Sequence, residues 1–199
     1  MNYYFRYLTL IPVLVFAFLL PGKQVNSTHN KINFLFKDSL FDMCTVMPGD
    51  EVASLSPFGK PIKEVVPIDR LDGYCGCHYD LQSEDDYPQV QIEINQFASA
   101  KASKEHFAVK KADWINIYQR QPDYITSLGD SAAFYGNADP GKCDDCGLNV
   151  SSGRFFITVA LKGYYDKIPE STKEAASISL VRKLFEKKPY LNSKSAKSR

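Results

Sequence analysis

Five cysteines, Cys44, Cys75, Cys77, Cys143 and Cys146, are the side chains of this 199-residue sequence whose type and spacing could do chemistry. Sulfurs so placed can form structural disulfides, run thiol–disulfide exchange or hold zinc. Cys75 and Cys77 lie two apart on an expected strand, so they point to one face and are badly placed to bond each other. One of them must reach elsewhere. Cys44, near the entry to the first helix, would staple that helix to the first hairpin. Cys143 and Cys146 flank Asp144-Asp145 in a turn just before a strand, and a local bridge there would stiffen the mouth of the second hairpin. The expected pairing is Cys44 with Cys77 and Cys143 with Cys146, leaving Cys75 as a free thiol.

Two alternatives use the same sulfurs. A redox role for Cys143-Asp144-Asp145-Cys146 requires a lowered thiol pKa, and two carboxylates between the sulfurs, followed by a strand, work against it. A zinc site would gather Cys75, Cys77, Cys143 and Cys146 as four thiolates, with His78 adjacent. Where thiols oxidise, disulfides win over such a site, so neither metal nor cofactor is expected. Gly129-Asp130-Ser131-Ala132 is similar to the nucleophile block of the Gly-Asp-Ser-Leu esterases, but their downstream histidine base is missing because no His follows His106. His29, His78 and His106 are scattered and read as surface or packing residues. Glu84-Asp85-Asp86 lacks the ligand spacing of a calcium loop and reads as a solvated hairpin end. Asn26-Ser27-Thr28 and Asn149-Val150-Ser151 fit the glycosylation triplet, which matters only in a eukaryotic secretory route. Tyr164-Tyr165, after Gly163, would form a contact surface if exposed. No catalytic residue stands out, and no enzyme is expected.

The compartment follows from the N-terminus. Met1 to Tyr7 carries one positive charge, Arg6, and precedes an apolar run from Leu8 to Leu20 and the breaker Pro21-Gly22. That is the order of a secretory signal. A run of about 13 residues falls short of the roughly 20 that cross a bilayer, so a retained anchor is the lesser alternative. Cleavage is expected near Ser27, giving an extracytoplasmic protein, periplasmic or secreted. Segments are read as signal 1–27, lead 28–40, one domain 41–188 and a basic flexible tail 189–199. The tail region is strongly positive: Arg182, Lys183, Lys187, Lys188, Lys194, Lys197 and Arg199 face Glu186 alone, whereas the body is acidic. Such a tail can hold an anionic surface or an envelope protein; nucleic acid is not an expected partner.

The elements that must position the cysteines read as alternating short runs. Pro48 to Leu55 is a short helix stopped by Ser56-Pro57. Val65, Val66 and Ile68, the Asp72-Gly73 turn and Tyr74 to Leu81 form a hairpin. Val90, Ile92 and Ile94 alternate with Gln91, Glu93 and Asn95, giving a strand with one wet face. Phe107, Lys111, Trp114 and Tyr118 set the stripe of an amphipathic helix that ends before Pro122. Ala132 to Tyr135, Leu148 to Val150 and Phe155 to Leu161 supply three more strands, and Ile178, Val181, Leu184 and Phe185 stripe a final helix. The expected fold class is α+β: a single antiparallel sheet of about six strands with three helices packed on it, in the order α-βββ-α-βββ-α.

Three stretches, Asp42-Met43-Cys44-Thr45 with its following helix, Gly73-Tyr74-Cys75-Gly76-Cys77-His78-Tyr79, and Ser127-Leu128-Gly129-Asp130-Ser131-Ala132, resemble the layout of small exported bacterial domains of unknown function, often lipoproteins. The resemblance spans most of residues 40–188. It implies an early Cys bridged to the next hairpin and a sheet with packed helices, and it brings no known activity. The chain departs from that layout in lacking a lipobox and in carrying Cys75, Cys143 and Cys146. The function expected is a disulfide-stapled, non-enzymatic binding or structural protein of the cell envelope, with thiol-redox or zinc binding as the alternative.

Overall fold

Alternation of apolar and polar side chains builds a seven-stranded, wholly antiparallel sheet whose two faces are roofed very differently. The computed structural model describes residues 40–68, 73–83, 87–136, 145–163 and 168–193, all within the compact unit Asn33–Arg199. The expected signal 1–27 and nearly all of the lead lie outside the described residues. In chain order the elements are α1 (Met43–Val46), α2 (Gly49–Leu55), β1 (Ile62–Pro67), β2 (Tyr74–Leu81), β3 (Gln89–Gln96), α3 (Ala100–Tyr118), β4 (Asp123–Tyr124), β5 (Ser131–Tyr135), β6 (Asp145–Ser152), β7 (Phe155–Lys162) and α4 (Glu170–Lys187), closed by a 3-10 turn, Pro189–Leu191.

The strands lie in the order β1-β2-β3-β7-β6-β5-β4. Two meanders meet where β3 pairs with β7, and α3 carries the chain from the middle of the sheet to its far edge. The α+β class and the single antiparallel sheet match the sequence reading, but the count among the described residues is seven strands and four helices in place of about six and three. The extra helix is α1, one turn started by the Asp42 carboxylate, which accepts from the backbone N–H groups of Cys44 and Thr45. Pro48, with extended backbone, separates it from α2. The extra strand, β4, has two residues, too few to show a period.

One face is sealed. Cys75, Cys77, Tyr79 and Leu81 of β2, Val90, Ile92 and Ile94 of β3, Ile157, Val159 and Leu161 of β7 and Leu148 and Val150 of β6 pack under α1, α2 and α4 in one buried cluster. Burying a side chain of this size stabilises by about 1.5–3 kcal/mol. Ion pairs from Glu51 to Lys183 and Lys187 tie α2 to α4 across its rim. The opposite face is polar in sequence and only part-covered, by α3 over β5, β6 and β7. There Phe97, Phe107, Ala133, Tyr135 and Phe156 form a second, smaller cluster. Ser103, fully buried, anchors the helix: its hydroxyl donates to the Phe155 carbonyl at 2.8 Å and lies 2.9 Å from the Ser151 hydroxyl.

Residues 189–193, expected as the start of a flexible tail, are packed on the domain, and the rest of that tail lies outside the described residues. Leu191 is buried in the main core, and the Ser193 N–H donates to the Ser152 hydroxyl at 2.8 Å, so the 3-10 turn belongs to the domain.

Candidate functional site

Cys44 and Cys77 are joined in a disulfide with Cα atoms 5.3 Å apart, stapling α1 to β2 on the sealed face. Cys75 is a free, buried thiol. Burial pushes it up to about 12, with Asp42 adding to the rise and a hydrogen bond from the Phe41 backbone opposing it. A thiol so protonated is a poor nucleophile at neutral pH. Cys146 is disulfide-bonded, and Cys143 lies outside the described residues. The four-thiolate zinc set is not built. Cys77 is consumed by its bridge to Cys44, and β2 is separated from β6 by β3 and β7, a span of about 14 Å at the usual strand spacing. Zinc–sulfur bonds are about 2.3 Å. Among the described residues no group of three or more His, Cys, Asp and Glu side chains could hold a metal ion.

Other sequence candidates resolve into structural parts. The Asp130 carboxylate accepts from the Gly153 N–H and the Ser193 hydroxyl, both at 2.8 Å, so the Gly-Asp-Ser block latches the β6–β7 turn to the C-terminal segment. Gly129 is required there: its φ is +50°, and an added Cβ would sit 2.6 Å from the Ser151 carbonyl oxygen. His78 lies 3.3 Å from the Asp80 carboxylate on β2. His106 is packed between rings, its centroid 5.0 Å from Phe97 and 4.6 Å from Phe156, and burial lowers its pKa. The Tyr164-Tyr165 pair, the acidic run 84–86 and His29 lie outside the described residues.

Among the described residues a concave site lies where the described cysteines do not reach. Between α3 and the open face of the sheet lies a cleft of about 590 Å³. Its floor follows from register: Glu93 of β3 pairs with Thr158 of β7, which pairs with Asn149 of β6, while one step along the same face Ala160 pairs with Gly147. Small residues at Gly147 and Ala160 keep the floor deep, as glycine within a strand does where something must approach closely. Aromatic groups form the walls. Trp114 of α3 sits 5.0 Å from the Tyr135 ring and 4.5 Å from Tyr118, with its Nε1–H donating to the Gly136 carbonyl at 3.2 Å.

The polar groups converge on that floor. Thr158 Oγ1 donates to Asn149 Oδ1 at 3.0 Å, and Gln91 Nε2 donates to a Glu93 carboxylate oxygen. Tyr135 is fully buried, and its hydroxyl, beside Asn149, makes no hydrogen bond of ordinary geometry. Burial pushes this phenol up to about 12, against a lowering influence from Asn149. The sequence reading counted Glu93 and Asn95 as a wet face and Trp114 as part of a packing stripe, and it missed the site. The trace the site leaves in the sequence is Gly147 and Ala160, small residues paired across neighbouring strands near Phe156 and Tyr135. Comparison with family models, curated proteins and solved structures finds no match to this chain.

Proposed function

We propose that the protein is an exported, disulfide-stapled binding protein whose ligand seat is the cleft between α3 and the open sheet face. The cleft itself carries the reading: about 590 Å³ falls within the size range of small-molecule sites, and aromatic walls over a few convergent polar groups are their usual lining. The Cys44–Cys77 bridge supports export, since such bonds persist where thiols oxidise. The resemblance to small exported domains, built on the same early Cys and hairpin Cys, stands with this reading. Binding, and not catalysis, is the role because the cleft's histidine is packed between rings and the free thiol lies on the other face.

The test fills the floor. Nile red, a neutral apolar dye, should fluoresce with the purified mature protein, and Ala160→Trp should abolish that signal while the far-UV circular dichroism stays unchanged. A folded Ala160→Trp variant that still binds dye as the parent does would remove the cleft as the seat. Recovery from outside the cytoplasm, with an intact mass for a chain starting near Thr28, is the expected result for export.

A further inference from the structure

We propose that the cleft takes a flat ring system bearing a carbonyl oxygen, seated so that this oxygen accepts from the Tyr135 hydroxyl. The inference rests on the reading of the cleft as a ligand seat and adds the chemistry of the ligand. Tyr135 lines the cleft and is wholly buried, yet its hydroxyl makes no hydrogen bond of ordinary geometry. Buried hydroxyls are ordinarily paired, because an unmade bond costs the full desolvation of the group. The half of this hydroxyl that lacks a partner is its proton. Asn149, beside it on the floor, has its Oδ1 engaged by the Thr158 hydroxyl at 3.0 Å, so its amide N–H groups are what it has left to offer. The electrostatics agree: burial raises the Tyr135 pKa and Asn149 opposes the rise, as a donor approaching the phenol oxygen does. An acceptor is the missing group, and a carbonyl oxygen supplies one without bringing a proton of its own.

The body of the ligand follows from the floor and walls. Gly147 of β6 pairs with Ala160 of β7, so the middle of the floor is almost bare main chain. Trp114 and Phe156 stand as aromatic groups of the lining. A slot between aromatic side chains and a bare sheet suits a flat ring, which gains apolar burial together with offset or edge-on ring contacts. Trp114 packs on the Tyr135 ring with centroids 5.0 Å apart, and its Nε1–H is held by the Gly136 carbonyl at 3.2 Å. An oxygen reaching the closed-off Tyr135 hydroxyl must displace a neighbouring side chain, a rotamer change of the kind common at binding surfaces. Trp114 is placed to yield in this way, so its emission should change with occupancy.

The experiment compares two probes of one size, 2-acetylnaphthalene and 2-isopropylnaphthalene, on the full mature protein by displacement of Nile red. The ketone has the acceptor oxygen, and the hydrocarbon has a methyl group in its place. Tyr135→Phe removes only the unpaired hydroxyl, so it should fold as the parent does, weaken the ketone about tenfold and leave the hydrocarbon within about twofold. Comparing each probe with itself across the substitution cancels their different hydrophobicity. In the parent protein the bound ketone should also show a carbonyl stretch at lower wavenumber than in hexane, a readout that needs no variant. A ketone that Tyr135→Phe binds unchanged, or whose stretch stays at its hexane position, would overturn the acceptor inference while leaving the cleft as a seat. So would bound dye that neither probe displaces. If Nile red itself does not bind, the cleft reading and this inference fall together.

Discussion

Cys75 and Cys77 are two residues apart on the same face of the same strand, yet one is bridged and the other is a buried thiol. The difference is position: Cys77 lies where α1 presents Cys44, whereas Cys75 lies one pleat further along. A thiol pushed up to about 12 from about 9 stays neutral in the fold long after it would ionise in the unfolded chain. Because the folded pKa is raised, the stabilisation is complete below about pH 9 and is lost as pH climbs from 9 towards 12. Denaturation at a series of pH values should show this as a fall in stability above pH 9 that is shallower in Cys75→Ala. A parallel pair of curves would sink the assignment. The same burial predicts that a thiol reagent at pH 8 titrates Cys75 only after unfolding, and rapid labelling of the native protein would contradict it.

The Cys44–Cys77 bridge and helix α3 hold the elements in place by opposite means. The bridge closes a loop across a sequence separation of 33, so replacing both cysteines by alanine should cost about 3–4 kcal/mol in chemical denaturation. Helix α3, by contrast, buries only Ser103 and Phe107 among its nineteen residues and leaves Val109 and Ile117 exposed. Ser103→Ala removes two buried hydrogen bonds and should cost about 1–3 kcal/mol. Its signature is local: amide hydrogen exchange should rise in α3 while β3, β6 and β7 stay protected. Uniform acceleration across the sheet would show that α3 is not a separable roof.

These elements also mark what could be read from the sequence. The alternation of Val90, Ile92 and Ile94 revealed β3 and its apolar face, and Phe155 to Leu161 did the same for β7, because a period of two survives whatever packs on it. Nothing in a local window shows that α3 crosses over the polar face, since Ser103 meets Phe155 at a separation of 52 residues. The small residues Gly147 and Ala160 are therefore visible in the sequence, but not that they share a cleft. Its floor looked like a solvated strand face, and its walls came from elements whose neighbours are fixed only by topology.

At the scale of the whole molecule the sheet divides the labour between its faces. Leu148, Ile157 and Leu180 are completely buried in the main cluster, where truncation to alanine leaves a cavity that packed neighbours cannot refill. Each such change should cost about 2–5 kcal/mol. Leu191 belongs to this set, so a chain ending at Lys188 should lose at least as much as Leu191→Ala, because it also forfeits the Ser193 contacts with Asp130 and Ser152. On the cleft face the expectation reverses. Glu93 lies half-buried at the cleft floor, where glutamine keeps its size and its acceptor oxygen, and Ala160 lies half-exposed with room above it, so Glu93→Gln and Ala160→Trp should shift stability by no more than about 1 kcal/mol in either direction. Midpoints of urea denaturation for the two sets, read beside probe binding, test the division in one experiment. Sealed-face variants should lose stability and keep affinity as long as they remain folded, and cleft variants should do the opposite. A cleft variant that unfolds as readily as Leu148→Ala would mean that the open face supports the fold and is not free to serve a ligand.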